Sequence, residues 1–198
     1  MNQHVHKYDD GLTRCKWPGQ DTLYVDYHDT EWGVPVFGDD EMFERITLEG
    51  FQAGLSWITI LKRREGFRKA FKNFEVKKVA KMTDQEVEKL MLDAGIIRNR
   101  AKIISTISNA NLVIELQKQG QSISEIVWEF APPKSKRTPA ASAFEWRATS
   151  TESDALSKHL KKLGFSFVGS TTMYALMQAT GFVNDHAPGC FRRPQLKN

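Results

Sequence analysis

Two cysteines and two histidines at opposite ends of this chain constrain its fold more than any other feature. They form the pairs Cys15-x12-His28 and His186-x3-Cys190, which use both cysteines and two of only five histidines. If the four side chains gather, the two ends of the chain close on each other. One thiolate and one imidazole from each end would make the tetrahedral Cys2His2 shell that zinc takes in structural sites, with no position left for a water nucleophile. The His-x3-Cys pair resembles the second half of a zinc finger, while the first pair lacks the usual close cysteine spacing. Spacing alone leaves two other readings open. The thiols could be free beside unrelated histidines, or Cys15 and Cys190 could form a disulfide, which a cytosolic setting disfavours.

Between these pairs the apolar periodicity predicts a mostly α-helical protein. Met42, Phe43, Ile46, Gly50 and Ala53 share one face of a helix over 39–53. A second helix is expected over 56–71, with Ile58, Leu61, Phe67 and Phe71 on its apolar side. Thr83-Asp84-Gln85-Glu86 has the form of a capping box and opens a helix to about residue 94. Ser122 to Glu125 repeats that signature, and Thr151 to Asp154 does so in a weaker form. One long helix is expected over 98–119 and a last one over 171–180. Residues 11–38 mix Gly, Pro, Asp and aromatic residues without a helical period and read as ordered loop. The Pro-bearing stretch 131–150 reads as a long loop, and strand signals are weak throughout.

With 198 residues and 40% hydrophobic content the chain can bury a core as one domain or two small lobes. No stretch approaches the ~20 apolar residues of a membrane span. The first ten residues lack a signal-peptide core, so a cytoplasmic location is expected. Lys and Arg total 28 against 24 Asp and Glu, a small excess that many non-binding proteins share. Basic clusters at Lys62 to Arg64, Arg98 to Lys102, Lys134 to Arg137 and Lys158 to Lys162 would follow a phosphate backbone only if they converge in space.

Three groupings could carry chemistry. Leu90 to Lys102 places Gly95 between two helices, with Arg98, Arg100 and Lys102 opening the second. That is the form of a helix-hairpin-helix, in which Gly95 could adopt the left-handed conformation and free amides could accept a phosphate oxygen. An ordinary helix-helix turn would look the same. Glu49 falls within the apolar stripe of its helix, so its carboxylate points to the core or a pocket and needs a partner. That partner could be a structural cation or a donor-rich ligand. Trp17, Tyr24, Tyr27, Trp32 and Trp57 crowd a short stretch. Aromatic faces beside a carboxylate suit a flat cationic ring such as a modified purine.

The segments Asp26 to Pro35, Leu48 to Trp57, Asp93 to Arg98, Ser153 to Lys158 and Gly181 to His186 resemble, in order, the DNA-3-methyladenine glycosylase I family of helix-hairpin-helix DNA glycosylases. The resemblance spans about residues 13–191. It implies a helical bundle with a zinc-tied lobe joining the terminal segments, with one structural zinc held by Cys15, His28, His186 and Cys190. The hairpin core would occupy about 39–130 and the lobe 11–38 with about 151–191, leaving 1–10 as a disordered tail and 192–198 as a second tail. It also implies that Glu49 hydrogen-bonds the excised adenine, that Tyr27 and Trp57 stack on it, and that Trp17, Tyr24 and Trp32 line the pocket. Gln52, Gly54 and Leu55 would enter the base stack, while Gly95, Arg98 and Lys102 would grip the backbone.

The implied reaction is monofunctional hydrolysis of 3-methyladenine from double-stranded DNA by a monomer. No acidic residue lies between Gly95 and Glu115 to serve as the base many relatives carry, and no Lys sits where bifunctional relatives place one. Phe51 stands where the family commonly has a polar residue, a departure that could alter how the opposite strand is probed. A non-catalytic, zinc-stapled DNA-binding protein is the alternative of a different class. A zinc hydrolase would require an open metal position.

Overall fold

A computed structural model describes residues 3–196; the outermost residues of both expected tails lie outside the described range. By their contacts the residues fall into two compact units. One takes in the chain up to Val36, Ala131–Ala148 and the chain from Met177; the other takes in Phe37–Phe130 and Thr149–Leu176.

The second unit is helical. Its centre is α2 (Asp39–Gln52), followed by α3 (Trp57–Leu61), α4 (Arg64–Ala70), α5 (Val76–Val79), α6 (Asp84–Leu92), α7 (Arg100–Lys118), α8 (Ile123–Trp128) and α9 (Thr151–Lys162). α2 packs on α3, α5, α7 and α8. Phe51 lies against Phe67 with ring centroids 4.6 Å apart, and Phe71 stacks on Phe74 at 5.8 Å, so fully buried phenylalanines form the middle of this core. Asp39 ties three helices at one end, accepting from Gln117 Nε2 at 2.6 Å, Ser122 Oγ at 2.6 Å and the Ser124 amide at 3.1 Å.

Several expected elements differ in detail. The segment 56–71 is two helices, because Lys62 and Arg63 close α3 with tight bonds back to Ile58 and Ile60, and Arg63 leaves helical geometry. Thr83 and Glu86 make the expected reciprocal box. In α9 the box sits one residue earlier, on Ser150 and Ser153, whose two hydroxyls can each meet the other's amide. α9 belongs to the helical unit and not to the lobe with the Cys and His pairs.

The other unit is irregular but ordered. The expected disordered start instead pairs β1 (Val5–Lys7) antiparallel with β2 (Thr13–Cys15), with Val5 opposite Cys15. Three-residue strands are too short to leave an alternating pattern. The expected loop 11–38 contains α1 (Thr22–Thr30), capped by Asp21, whose carboxylate accepts from the Tyr24 amide. Its buried residues are Tyr27 and His28, so the usual aliphatic stripe is missing. The stretch 131–150 holds short 3-10 turns at Lys134–Lys136 and Ala141–Ala143. α10 (Ser170–Ala179) begins in the helical unit and ends in this one. The expected second tail is held as far as Leu196, since Asn184 Nδ2 donates to the carbonyls of Arg193 (2.9 Å) and Leu196 (3.2 Å).

Candidate functional site

In the irregular unit the strand pairing and α1 bring Cys15 and His28 to His186 and Cys190. One donor atom from each lies within 4.8 Å of all the others, and all four residues are buried. Both cysteines are free thiols, so the disulfide reading is set aside. The donor set fits a metal at the level of the surrounding bonds. His28 Nδ1 donates to Asp29 Oδ1 at 2.7 Å and His186 Nε2 donates to the Trp32 carbonyl at 3.1 Å. Each ring therefore turns its unprotonated nitrogen to the centre, the arrangement by which carboxylates and carbonyls orient metal-binding imidazoles. Cys190 Sγ lies 3.5 Å from His28 Nε2 and 3.4 Å from His186 Nδ1. The Ala187 amide donates to Cys15 Sγ at 3.2 Å. The Cys15 thiol beside it, with the two rings, pulls the Cys190 thiol well below its usual range against the cost of burial.

Asp29, which sequence reasoning passed over, is shared. It also accepts from buried Arg14 at 2.9 Å, and Arg14 in turn grips Asp10 at 2.7 Å. The available signal was its position directly after a candidate ligand. Around the same four ligands pack the rings expected to line a base pocket. Trp17 stands edge-on to Tyr24 (4.8 Å), His28 (5.3 Å) and Trp32 (5.0 Å), and Trp32 meets His186 at 4.5 Å. Tyr27 is buried beside Trp17 at 6.4 Å. The buried indole nitrogen of Trp17 has no acceptor.

In the helical unit, Glu49 occupies the last full turn of α2. It is 3% exposed, and its Oε2 is buried with no hydrogen-bond partner. Burial pushes its carboxyl up to about 8, against a small opposing pull from Arg45. An orphan buried carboxylate oxygen is costly, and such groups concentrate where a ligand supplies the missing donor. Glu49 lines a cavity of about 180 Å³ with Gln52, Gly54, Leu55, Thr171 and Thr172. The two threonines, from the first turn of α10, were missed by sequence reasoning; no pattern marked them. A larger hollow of about 520 Å³ in the other unit is lined by four aspartates, Asp9, Asp10, Asp26 and Asp29, against the single guanidinium of Arg14. Its acidic wall is unsuited to a phosphate backbone.

The turn after α2 is exposed. Gly54 takes φ +83° with open space about it, and Leu55 is 42% exposed. Lys102 is not the surface phosphate contact that its place in the hairpin suggested. It is buried, and its Nζ donates to the carbonyls of Phe51 (2.9 Å) and Ala53 (2.7 Å), which α2 leaves unpaired at its end. Phe51 likewise faces the core, 1% exposed, and is not available to probe a strand. Trp57, just beyond the turn, is buried at the start of α3.

The hairpin is present as α6, the turn at 93–99 and α7. Asn99 caps α7 by accepting from the Lys102 amide at 3.1 Å. Gly95 does not take the expected left-handed φ, and the glycine that the close approach demands is Gly66 of α4, where a Cβ would collide with the Gly95 carbonyl. The Gly95 amide donates to Asp93 Oδ1 at 2.7 Å. Arg98 is exposed, and Arg100 is engaged by Glu88 through both guanidinium nitrogens.

Against known proteins, the methyladenine glycosylase family model matches residues 17–193. The chain is 49% identical over 186 residues to DNA-3-methyladenine glycosylase 1 of Escherichia coli K12, covering 94% of this chain and all of that one. A crystal structure of 3-methyladenine DNA glycosylase I superposes with a TM-score of 0.85 at 48% identity, over 90% of this chain and 98% of the other. A variant of 3-methyladenine DNA glycosylase I in complex with 3-methyladenine superposes at 0.83 and 31% identity, over 91% and 97% of the two chains.

Proposed function

The chain belongs to the methyladenine glycosylase family, and from that premise we propose that it hydrolyses 3-methyladenine from alkylated DNA to begin base excision repair. The observation that carries the reading is Glu49, a buried carboxyl with an unpartnered oxygen in a residue that lines a cavity. The relatives named as DNA-3-methyladenine glycosylases favour an enzyme over a DNA-binding protein without catalysis.

Methylation at adenine N3 leaves a cationic base with a weakened glycosidic bond. Its poorer pairing and stacking lower the cost of flipping it out of the duplex. Burial makes Glu49 favour its protonated form. A cationic ring with an exocyclic amine supplies the charge and the donor that draw it to the carboxylate. Glu49 then holds the amine while Tyr27 and Trp57 stack on the ring, and Trp17, Tyr24 and Trp32 complete the aromatic lining. Water attacks the sugar carbon as positive charge develops there. The lesion leaves with its charge neutralised, so departure needs little protonation. No lysine takes part, and the reaction ends at the abasic site without strand cleavage.

Gln52, Gly54 and Leu55 enter the stack as the nucleotide leaves, on a turn that Lys102 secures. Gly95, Arg98 and the hairpin amides hold the phosphate backbone of double-stranded DNA, with one chain sufficing. Cys15, His28, His186 and Cys190 would hold one zinc ion, whose contribution is structural because four protein ligands complete its shell. Chromosomal DNA as substrate places the activity in the cytoplasm.

The test is release of free base from methylated duplex DNA by the purified protein beside Glu49→Gln. We expect release of 3-methyladenine by the wild type and a large loss in kcat/KM for the variant. Absence of release by the wild type, or equal release by the variant, would overturn the assignment.

A further inference from the structure

One residue in the helical unit has a conformation that its side chain disfavours and a place that the reaction so far leaves unused. Phe167, in the link between α9 and α10, has φ +59° and is still 37% exposed. A non-glycine residue there is uncommon, and a bulky ring would relax unless its surroundings over-determined the backbone. Three neighbours do so. Buried Asn109 of α7 clamps the preceding residue on both sides, accepting from the Ser166 amide at 3.0 Å and donating to the Ser166 carbonyl at 3.1 Å. Gly50 of α2 leaves room for the backbone, since a Cβ there would stand 3.2 Å from Phe167 Cβ and 3.4 Å from its carbonyl oxygen. Lys102 holds its ammonium 5.8 Å from the ring centroid while donating to the carbonyls of Phe51 and Ala53.

One ammonium therefore underlies both the ring of Phe167 and the turn at 52–55. The ring has a cation on one side while the residue stays partly exposed to solvent. Three residues further on, α10 starts, and Thr171 and Thr172 line the Glu49 cavity. An aromatic face that is rigid, exposed and beside a backbone turn is suited to stacking on a nucleobase, because every base has a π-face.

We propose that Phe167 is a second DNA probe, on which a nucleobase of the duplex stacks beside the Gln52 to Leu55 turn when the damaged nucleotide is displaced. The inference rests on the DNA-glycosylase reading. The stacking partner is a base left by the distortion, not the excised adenine, so Phe167 acts on capture of the duplex and not on recognition of the free base.

The test compares Phe167→Ala, Phe167→Gly, Phe167→Tyr and Phe167→Trp with the wild type. Each is measured for binding to a duplex carrying a tetrahydrofuran abasic-site analogue, for binding of free 3-methyladenine, and for thermal midpoint. Loss of the ring should weaken duplex binding by roughly five- to hundredfold, the span of base-on-ring stacking. The Tyr and Trp variants should stay near wild type, and free-base binding should be unchanged in all four. Gly also removes the penalty of a positive φ, so a folding defect in Ala that Gly repairs is separated from loss of the ring. Wild-type duplex affinity in Ala and Gly would overturn the proposal. So would a parallel loss of free-base affinity, which would make Phe167 a packing support. Binding to the abasic duplex does not depend on base release, so failure of the wild type to release base is a separate outcome that counts against the enzymatic reading alone.

Discussion

Replacing Glu49 by Gln should change how stability depends on pH more than stability at any one pH. The wild-type carboxyl titrates at about 8 in the fold against an ordinary value of 4.5. The folded state therefore binds the proton more tightly than the unfolded state. Its contribution to stability is complete below about pH 4.5 and is lost as pH rises through about 8. The full span corresponds to about 5 kcal/mol, as an upper figure, at about 1.4 kcal/mol per tenfold preference. Between pH 5 and pH 7.5 the wild type should lose about 3 kcal/mol that Glu49→Gln keeps, because the amide does not ionise. At roughly 2–4 °C per kcal/mol for a chain of this size, the two melting temperatures should converge or cross by about 6–12 °C over that range. Urea unfolding of both proteins at several pH values measures the difference directly, and every other titrating group cancels between them. Gln brings its own unpaired amide, but that offset does not depend on pH. Parallel stability curves for the two proteins would refute the claim that Glu49 is buried without a compensating partner.

Other outcomes follow from the same structure. If Glu49 must ionise to hold a cationic lesion, kcat/KM of the wild type on methylated DNA should rise with pH and level off near 8, whereas Glu49→Gln should show no such limb. If the Cys2His2 cluster holds zinc as proposed, a chelator, or Cys190→Ala, should cost several kcal/mol of stability, read by thermal melting, with activity falling alongside it and returning when zinc is restored to the wild type. Lys102→Met removes two charge-assisted bonds to the end of α2. It should cost about 2–4 kcal/mol and speed hydrogen exchange at 53–56. Gly66→Ala forces a methyl group against the Gly95 carbonyl; a loss of about 1–3 kcal/mol with weakened duplex binding is expected, and an unperturbed melting curve would contradict the close approach.

The helical unit was readable because its helices carry their own instructions. The stripe of Met42, Phe43 and Ile46 and the Thr83 box needed no distant partner to be recognised, and Glu49 stood out because it broke that stripe. The four candidate metal ligands were visible as residue types, but their gathering depended on β1, β2 and α1, none of which has enough length or periodicity to announce itself. Lys102 was misread because a lysine at the start of a helix looks the same in sequence whether it faces phosphate or reaches back 51 residues to the Phe51 carbonyl. Thr171, Thr172 and Phe167 carried no pattern at all, since lining a cavity or bracing a ring is a property of placement. Phe51 shows the converse: a departure from a family pattern that looked functional is a core residue packed against Phe67.

The four-ligand cluster also sets an order of events during synthesis. Cys15 meets His186 only after 171 further residues have been added, at roughly 5–20 residues per second. The amphipathic helices of residues 37–130 can collapse during that interval, while the first thiol and its aromatic neighbours wait for their partners. The newborn chain therefore carries an uncovered cysteine for many seconds, and oxidative stress in that window would strike the protein before it is complete, when the finished fold would have kept the sulfur out of reach.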